Sequence, residues 1–513
     1  MIEKLPILSL LIWLPVFGAI LIMFGPAQKH KTLTQWMSLT TALVTFGLSL
    51  FALSAFDSSR YLLQFIEDSP WITTFETPIR YSLGVDGFSL PLIVLTSLMT
   101  VIVIISSWNN VKMRTAHYMA GFLMMCGLMN GVFAATDSIL FYVFWEAMLV
   151  PMFLIIGIWG GPNRIYATLK FFLFTFFGSV FLLIALIYLG NQAKSFNIFD
   201  MHQMLMDLET QKLIFYAFLI AFAVKVPMWP VHTWLPDAHV QAPTGGSVIL
   251  AAIMLKMGTY GFVRFMLPIT PDASMVMADI MIILSLIAVV YIGLVALAQT
   301  DMKKLVAYSS IAHMGFVTLG LFISFSLVAG GKIEAATMGL QGAMVQMISH
   351  GFISGALFLC IGVLYDRMHS REIGDYGGVV NTMPKFAMFF MLFAMANAGL
   401  PGTSGFVGEF LVILAALQVN FWIAALAGLT LIFAAAYTLW MFKRVMFGDI
   451  ANEQVGSLKD LVKRENIVMI ILAVLVLGFG LYPAPLLEIM EPSVQHLIDC
   501  NLVSKLSAEG MCS

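Results

Sequence analysis

The chain has 513 residues, 60% of them hydrophobic and only 11% charged, and its mean hydropathy is +0.94. A formal net charge of −2, without a basic patch interleaved with aromatics, excludes a nucleic-acid partner. Four cysteines with no CxxC or Cys/His cluster provide no metal site and no cofactor-binding motif for zinc, haem or an iron–sulfur cluster.

Apolar runs of about 20 residues recur along nearly the whole length, which is the pattern of an all-α, polytopic membrane protein. The lipid bilayer organises such a chain as a single domain over residues 1–513. The first run, Leu5 to Phe24, is too long for the apolar stretch of a signal peptide, and Glu3 offsets Lys4. It reads as the first transmembrane helix. The pattern predicts fourteen spans, at 5–25, 33–55, 88–107, 117–135, 138–159, 168–190, 213–232, 247–267, 277–298, 305–323, 336–364, 386–417, 421–442 and 466–484. The polar insertions 56–87, 191–212, 365–385, 443–465 and 485–513 are each too short for an extramembrane domain. Cys126 and Cys360 fall in apolar spans, while Cys500 and Cys512 lie in the polar tail, where an oxidising compartment would allow them to pair.

Placing both termini outside puts 16 of the 26 Lys and Arg on inside loops and eight outside, with Lys225 and Lys256 left within spans. That bias follows the positive-inside rule and fits an even number of crossings. Span seven, AFAVKVPMWPVHTWLPDAH, carries Pro227, Pro230 and Pro236, and span twelve, FAMANAGLPGTSGFVGEF, carries Gly399, Pro401, Gly402 and Gly405. Proline removes a backbone donor and clashes with the preceding turn, so both spans are expected to break. Two broken helices five spans apart suggest two inverted five-helix repeats, residues 117–267 (spans four to eight) and 277–442 (spans nine to thirteen). Ordinary proline kinks are the competing explanation.

Four ionisable residues sit inside apolar spans: Glu146, Lys225, Lys256 and Glu409. A charge at the bilayer centre costs roughly 2.5–3.5 kcal/mol even on the lenient insertion scale, so four of them need a reason. Glu146 lies mid-span with Pro151 five residues on; a structural interhelical ion pair is its alternative role. Lys225 stands just before the first break, where freed carbonyls and water collect; snorkelling to the surface is its alternative. Lys256 is nine residues into span eight, too central to snorkel. Burial disfavours the charged form of an amine, which suits a group that exchanges protons. Glu409 follows the second break, roughly where Lys225 stands in the first, and a boundary acid is its alternative. His313 and His350, within apolar spans near Ser and Gly, could relay protons or simply pack. His232 and His239 flank the end of span seven with Asp237, as an uptake route or as plain loop residues. Lys304, in the Lys303-Lys304 pair, could anchor topology or join a relay.

Several segments resemble the antiporter-like subunits of respiratory complex I: FYVFWEAMLVPM (141–152), FAVKVPMWPVHTWLPDAHVQAPTGGSVILAAIMLKMGTYGFVRF (222–265), QTDMKKLVAYSSIAHMGFV (299–317), MVQMISHG (344–351) and GLPGTSGFVGEF (399–410). The long KVP…WLPDAH…APT block is specific to this superfamily but is shared with multisubunit sodium/proton antiporters. Glu409 in the second broken helix, where the L and N subunits carry lysine, points to the M-type subunits, relatives of the mitochondrial ND4 chain. The length near 500 residues and the lack of a long lateral helix after span fourteen agree.

The resemblance implies a proton path. Glu146 would pair with Lys225 and set its proton affinity. Lys225 would pass a proton to Lys256, and from there it would travel by way of His313, with Lys304 and His350 in support, to Glu409 and the periplasmic side. It further implies a subunit of a proton-translocating NADH:quinone oxidoreductase with no redox chemistry in this chain. Flavin, iron–sulfur clusters and quinone would belong to partner subunits. The neighbours would be other complex I membrane subunits of L and N type, in a bacterial inner membrane with both termini periplasmic. Two other readings stay open: a subunit of a multisubunit sodium/proton antiporter, and a membrane scaffold whose buried charges all pair off in a dry interior.

Overall fold

A computed structural model describes residues 5–74 and 76–507. The chain runs through α1 (Ile7–Phe24), α2 (Lys31–Ala55), β1 (Gln64–Ile72), β2 (Ile79–Val85), α3 (Ser89–Ser106) and α4 (Thr115–Ala134). Next come α5 (Ser138–Ala147), α6 (Leu149–Trp159), α7 (Arg164–Ala193), α8 (Leu208–Lys225), α9 (Trp234–Gln241) and α10 (Thr244–Ile269). It closes with α11 (Ala278–Leu297), α12 (Met302–Ala329), α13 (Ile333–Met368), α14 (Pro384–Asn397), α15 (Ser404–Val419), α16 (Phe421–Met446), α17 (Lys463–Leu481) and α18 (Ala484–His496). Among the described residues, twelve helical segments are long and apolar enough to cross a membrane, α5 and α6 together making one of them. This is a mostly helical, multi-pass membrane fold.

The bundle has a distinct centre. The most apolar windows of α10 and α13 are 100% buried within the chain, while those of α2 and α17 are only 28% buried. The outer helices therefore carry exposed Leu, Ile, Phe and Trp side chains, as lipid or neighbouring chains require. Small residues let the inner helices approach closely, as in membrane bundles generally. A Cβ on Gly320 of α12 would lie 2.7 Å from the Gly339 carbonyl of α13.

Two of the polar insertions carry structure of their own, and one of them departs from the all-α expectation. The segment 56–87 forms an antiparallel hairpin, β1 with β2. The hairpin fastens the ends of helices. Glu67 of β1 accepts the Leu8 amide at 2.7 Å and the Ser9 amide at 3.1 Å, satisfying donors that the start of α1 leaves open. Arg80 of β2 donates its backbone N–H at 2.9 Å to Asp137, whose other oxygen caps α5. The tail 485–513 contains most of α18, which packs back on the body so that Ser493 accepts the Gly87 amide at 3.0 Å. The Cys500–Cys512 pairing involves Cys512, which lies outside the described residues.

Both expected breaks are present. After α8, the Met228 amide bonds the Ala223 carbonyl at 2.8 Å, and the Trp234 indole reaches the freed Val224 carbonyl at 2.9 Å. After α14, the Leu400 amide bonds the Met395 carbonyl at 3.0 Å. The same i→i−5 closure thus ends both half-helices. Lys225 stands two residues after Ala223, and Asn397 stands two after Met395. Helix α5 stops at Ala147 and α6 begins at Leu149, because Pro151 has no N–H for the Ala147 carbonyl.

Candidate functional site

Lys256 sits near the centre of α10, between two five-residue π-helical turns, Leu250–Met254 and Phe262–Met266. Such turns free carbonyls from the regular ladder and are frequent at functional sites. The Lys256 ammonium is fully buried and donates to the Ala251 carbonyl at 2.6 Å; it also lies 2.7 Å from Nδ1 of His350 on α13. Nε2 of the same imidazole is 2.9 Å from the Ser354 hydroxyl, which meets Ser310 of α12 at 3.2 Å.

His313 of α12 continues the line. Its ring centroid is 5.8 Å from that of His350, and its Nδ1 lies 2.8 Å from Oε1 of Glu409 on α15. Gln346 of α13 donates to the same carboxylate oxygen at 3.1 Å. Oε2 of Glu409 has no hydrogen-bond partner and faces Gly399 in the second break. Gly399 has φ +74°, and a Cβ there would stand 2.8 Å from that oxygen. Glycine is therefore required on two counts, backbone conformation and room for the carboxylate. Asn397, beside the break, donates to Ser309 and Thr438 at 3.0 Å each, and Tyr437 donates to Ser309 at 3.0 Å. The sequence reading selected Lys256, His313, His350 and Glu409, and the fold brings all four together. It missed Gln346, Ser354 and Asn397, because a neutral polar residue in an apolar span carries no sign of which helix it will face.

The other two charges stand apart. Lys225 is the last residue of α8, and its ammonium is 4.9 Å from the Trp145 ring centroid with no hydrogen-bond partner. Oε1 of Glu146, next to that tryptophan and beside Ser179 of α7, is likewise unpartnered. Glu146 and Lys225 are close enough to interact electrostatically but are not in ion-pair contact, and the Trp145 indole lies against the ammonium. His232 is buried in the first break, edge-on to Tyr308. His239 is fully buried and stacks on Phe358 at 4.4 Å, with both ring nitrogens unpartnered. Lys304 is partly exposed and lines a surface hollow with Asp237, Asp301 and Arg371. Its neighbour Lys303 is the buried member of the pair.

A buried ion pair on the hairpin side of the bundle escaped the sequence reading altogether. Arg264 of α10 donates to Asp86 at 2.6 Å and to the Tyr260 hydroxyl at 3.1 Å; Tyr260 in turn donates to the Phe133 carbonyl at 3.1 Å. Asp86 also holds the Ser89 amide at the start of α3. Removing one partner of a buried pair leaves the other charge uncompensated. Arg264→Met is thus expected to destabilise the chain by about 3–5 kcal/mol. Thermal denaturation of the purified assembly should show a lowered Tm, and Asp86→Asn in the same chain should restore part of it.

The arrangement is a buried series of titratable side chains from four helices, without a cluster of metal ligands among the described residues. The family model for the transmembrane region of NADH:quinone oxidoreductases and Mrp antiporters matches residues 135–435. NADH-quinone oxidoreductase subunit M of Rhodobacter capsulatus is 49% identical, over 96% of each chain. A chain of respiratory complex I from Thermus thermophilus with bound NADH has a TM-score of 0.84 at 29% identity, covering 96% of this chain and 99% of that one. A chain of the Mrp complex from Dietzia shares the fold, with a TM-score of 0.82 at 19% identity over 97% and 98% of the two chains. The chain belongs to the NADH:quinone oxidoreductase/Mrp antiporter transmembrane family. Within it, the close sequence similarity lies with the M-type subunits of NADH:quinone oxidoreductase.

Proposed function

We infer that this chain is a proton-translocating, M-type subunit in the membrane arm of NADH:quinone oxidoreductase. It moves protons along Glu146, Lys225, Lys256, His350, His313 and Glu409, driven by electron transfer in other subunits that hold the flavin, iron–sulfur clusters and quinone. The observation that carries this reading is the buried contact series from Lys256 through His350 and His313 to Glu409. A scaffold would pair its buried charges, yet Lys225 and Oε1 of Glu146 have no hydrogen-bond partner. The antiporter reading shares the family model and the fold, the latter at 19% identity, whereas the 49% identity lies with a subunit M.

The chain crosses the membrane fourteen times, counting the broken pairs α8/α9 and α14/α15 as one crossing each. The two half-chains are inverted repeats, a reading supported by the matching i→i−5 closures at the two breaks. Both termini lie on the periplasmic side of a bacterial inner membrane. In support, the hairpin and Asp86 hold the starts of α1, α3 and α5 on one face, as alternating crossings require. L- and N-type subunits are the neighbours.

Isolation of the native assembly through a tag on this chain tests the function. The expected assembly contains flavin and iron–sulfur subunits and acidifies vesicle interiors on NADH addition. An assembly free of both, exchanging cations for protons instead, would overturn the reading.

A further inference from the structure

The path above leaves open how protons reach Lys256 from the side of positive loops. A cleft of about 610 Å³ opens on that side, among the connections 108–116, 233–246 and 365–371. Its polar lining includes Ser107, Tyr118, Asp366 and Glu465, and Asn109 is exposed at its rim. Lys303, only 3% exposed, also lines it. Its ammonium donates to the Ala242 carbonyl at 2.8 Å and lies 3.4 Å from the Ser247 hydroxyl. Ser247 in turn donates to the His239 carbonyl at 3.1 Å. The charged groups around Lys303 are Asp301, Asp366 and Arg371.

From His239 the route inward is marked by one face of α13. His239 stacks on Phe358, Ser354 bonds His350, and His350 meets Lys256. Positions 350, 354 and 358 recur every fourth residue, so they lie on one helix face at steps of about 6 Å. An imidazole with two unpartnered nitrogens therefore stands beside the stripe that leads to Lys256. A buried lysine in water's reach at one end, and a lysine–histidine pair at the other, bracket it.

We propose that Lys303 is the proton-uptake residue of this subunit, receiving protons through the cleft and passing them by way of His239 and Ser354 to the His350–Lys256 pair. The inference rests on the proton-translocating reading and deepens it. It adds a second input to the His350–Lys256 pair, and pumping requires this input and Lys225 together. The competing role for Lys303 is structural: the Ala242 carbonyl closes the C-terminal end of α9, where a cation is favourable.

The test uses the complete assembly in sealed vesicles, with NADH oxidation and proton pumping recorded together. Lys303→Gln keeps a donor for Ala242, and Lys303→Arg keeps a cation there but holds its proton permanently. The proposal expects both to lower pumping per NADH by roughly 10²-fold or more, the low end of what a positioned proton donor contributes. Undiminished pumping in either would overturn it, since a helix-end role tolerates both. Lys256→Met serves as the reference. If it stops pumping while the Lys303 variants pump normally, only the uptake branch falls; if it too pumps normally, the function itself falls. Should the Lys303 variants fail to assemble, Asn109→Cys tests the cleft directly. A bulky maleimide on that thiol should slow pumping relative to native assembly treated alike, and no effect would overturn the proposal.

Discussion

Replacing Lys225 by alanine is expected to lower NADH-driven proton pumping by roughly 10²-fold or more, within the range that positioned acid–base groups contribute, while assembly stays near normal. The reason lies in its surroundings. Lys225 is 2% exposed, and its ammonium has no hydrogen-bond partner and lies against the Trp145 face. Burial disfavours its charged form, and the Trp145 ring face and the Glu146 carboxylate act against that cost. A small movement of that carboxylate changes the proton affinity of Lys225 directly. Such a site can bind and release a proton in turn only if the side chain titrates. Lys225→Arg, which keeps the charge and cannot release it, should fail as alanine does. Glu146→Ala removes the controlling charge and should also stop pumping. Vesicle acidification at matched NADH oxidation measures all three, and normal acidification by the Lys225 or Glu146 alanine variant removes the pair from the path.

Glu409→Gln is expected to impair pumping more than Glu409→Asp. The glutamine amide can still meet Gln346 and His313, which crowd Oε1 at 3.1 and 2.8 Å. It cannot take up a proton, so the His313 end of the line loses its acceptor. Aspartate retains the acid but withdraws it by one methylene from His313. The predicted order is native, then aspartate, then glutamine, read as initial rates of acidification. Equal and undiminished rates in both variants would remove Glu409 from the path.

Much of this site was legible residue by residue and little of it as contacts. Lys256 and Glu409 announced themselves because a charge in an apolar run is costly. Nothing local said that Lys256 would meet His350, 94 residues on. The Lys303-Lys304 pair shows the limit most directly: the sequence drew attention to Lys304, and the fold buried Lys303. Adjacent helical residues point about 100° apart, and which one faces inward depends on the helix packed against them. Arg264 is a second case, a cation that the fold buries. Its partner Asp86 lies 178 residues away, at the end of a hairpin the hydropathy pattern did not resolve from a plain loop.

The sequence by itself determined that this chain lives in a membrane, about where its helices run, where two of them break, and which charges sit at membrane depth. Each of those rests on neighbours along the chain: apolar length, missing proline donors, the cost of a lone charge. Only the tertiary structure decided that four of these side chains, Lys256, His350, His313 and Glu409, join in one series while Lys225 and Glu146 stand outside it. Pairing across helices depends on facing surfaces and on the room between them, which glycines such as Gly399 set and no single helix encodes.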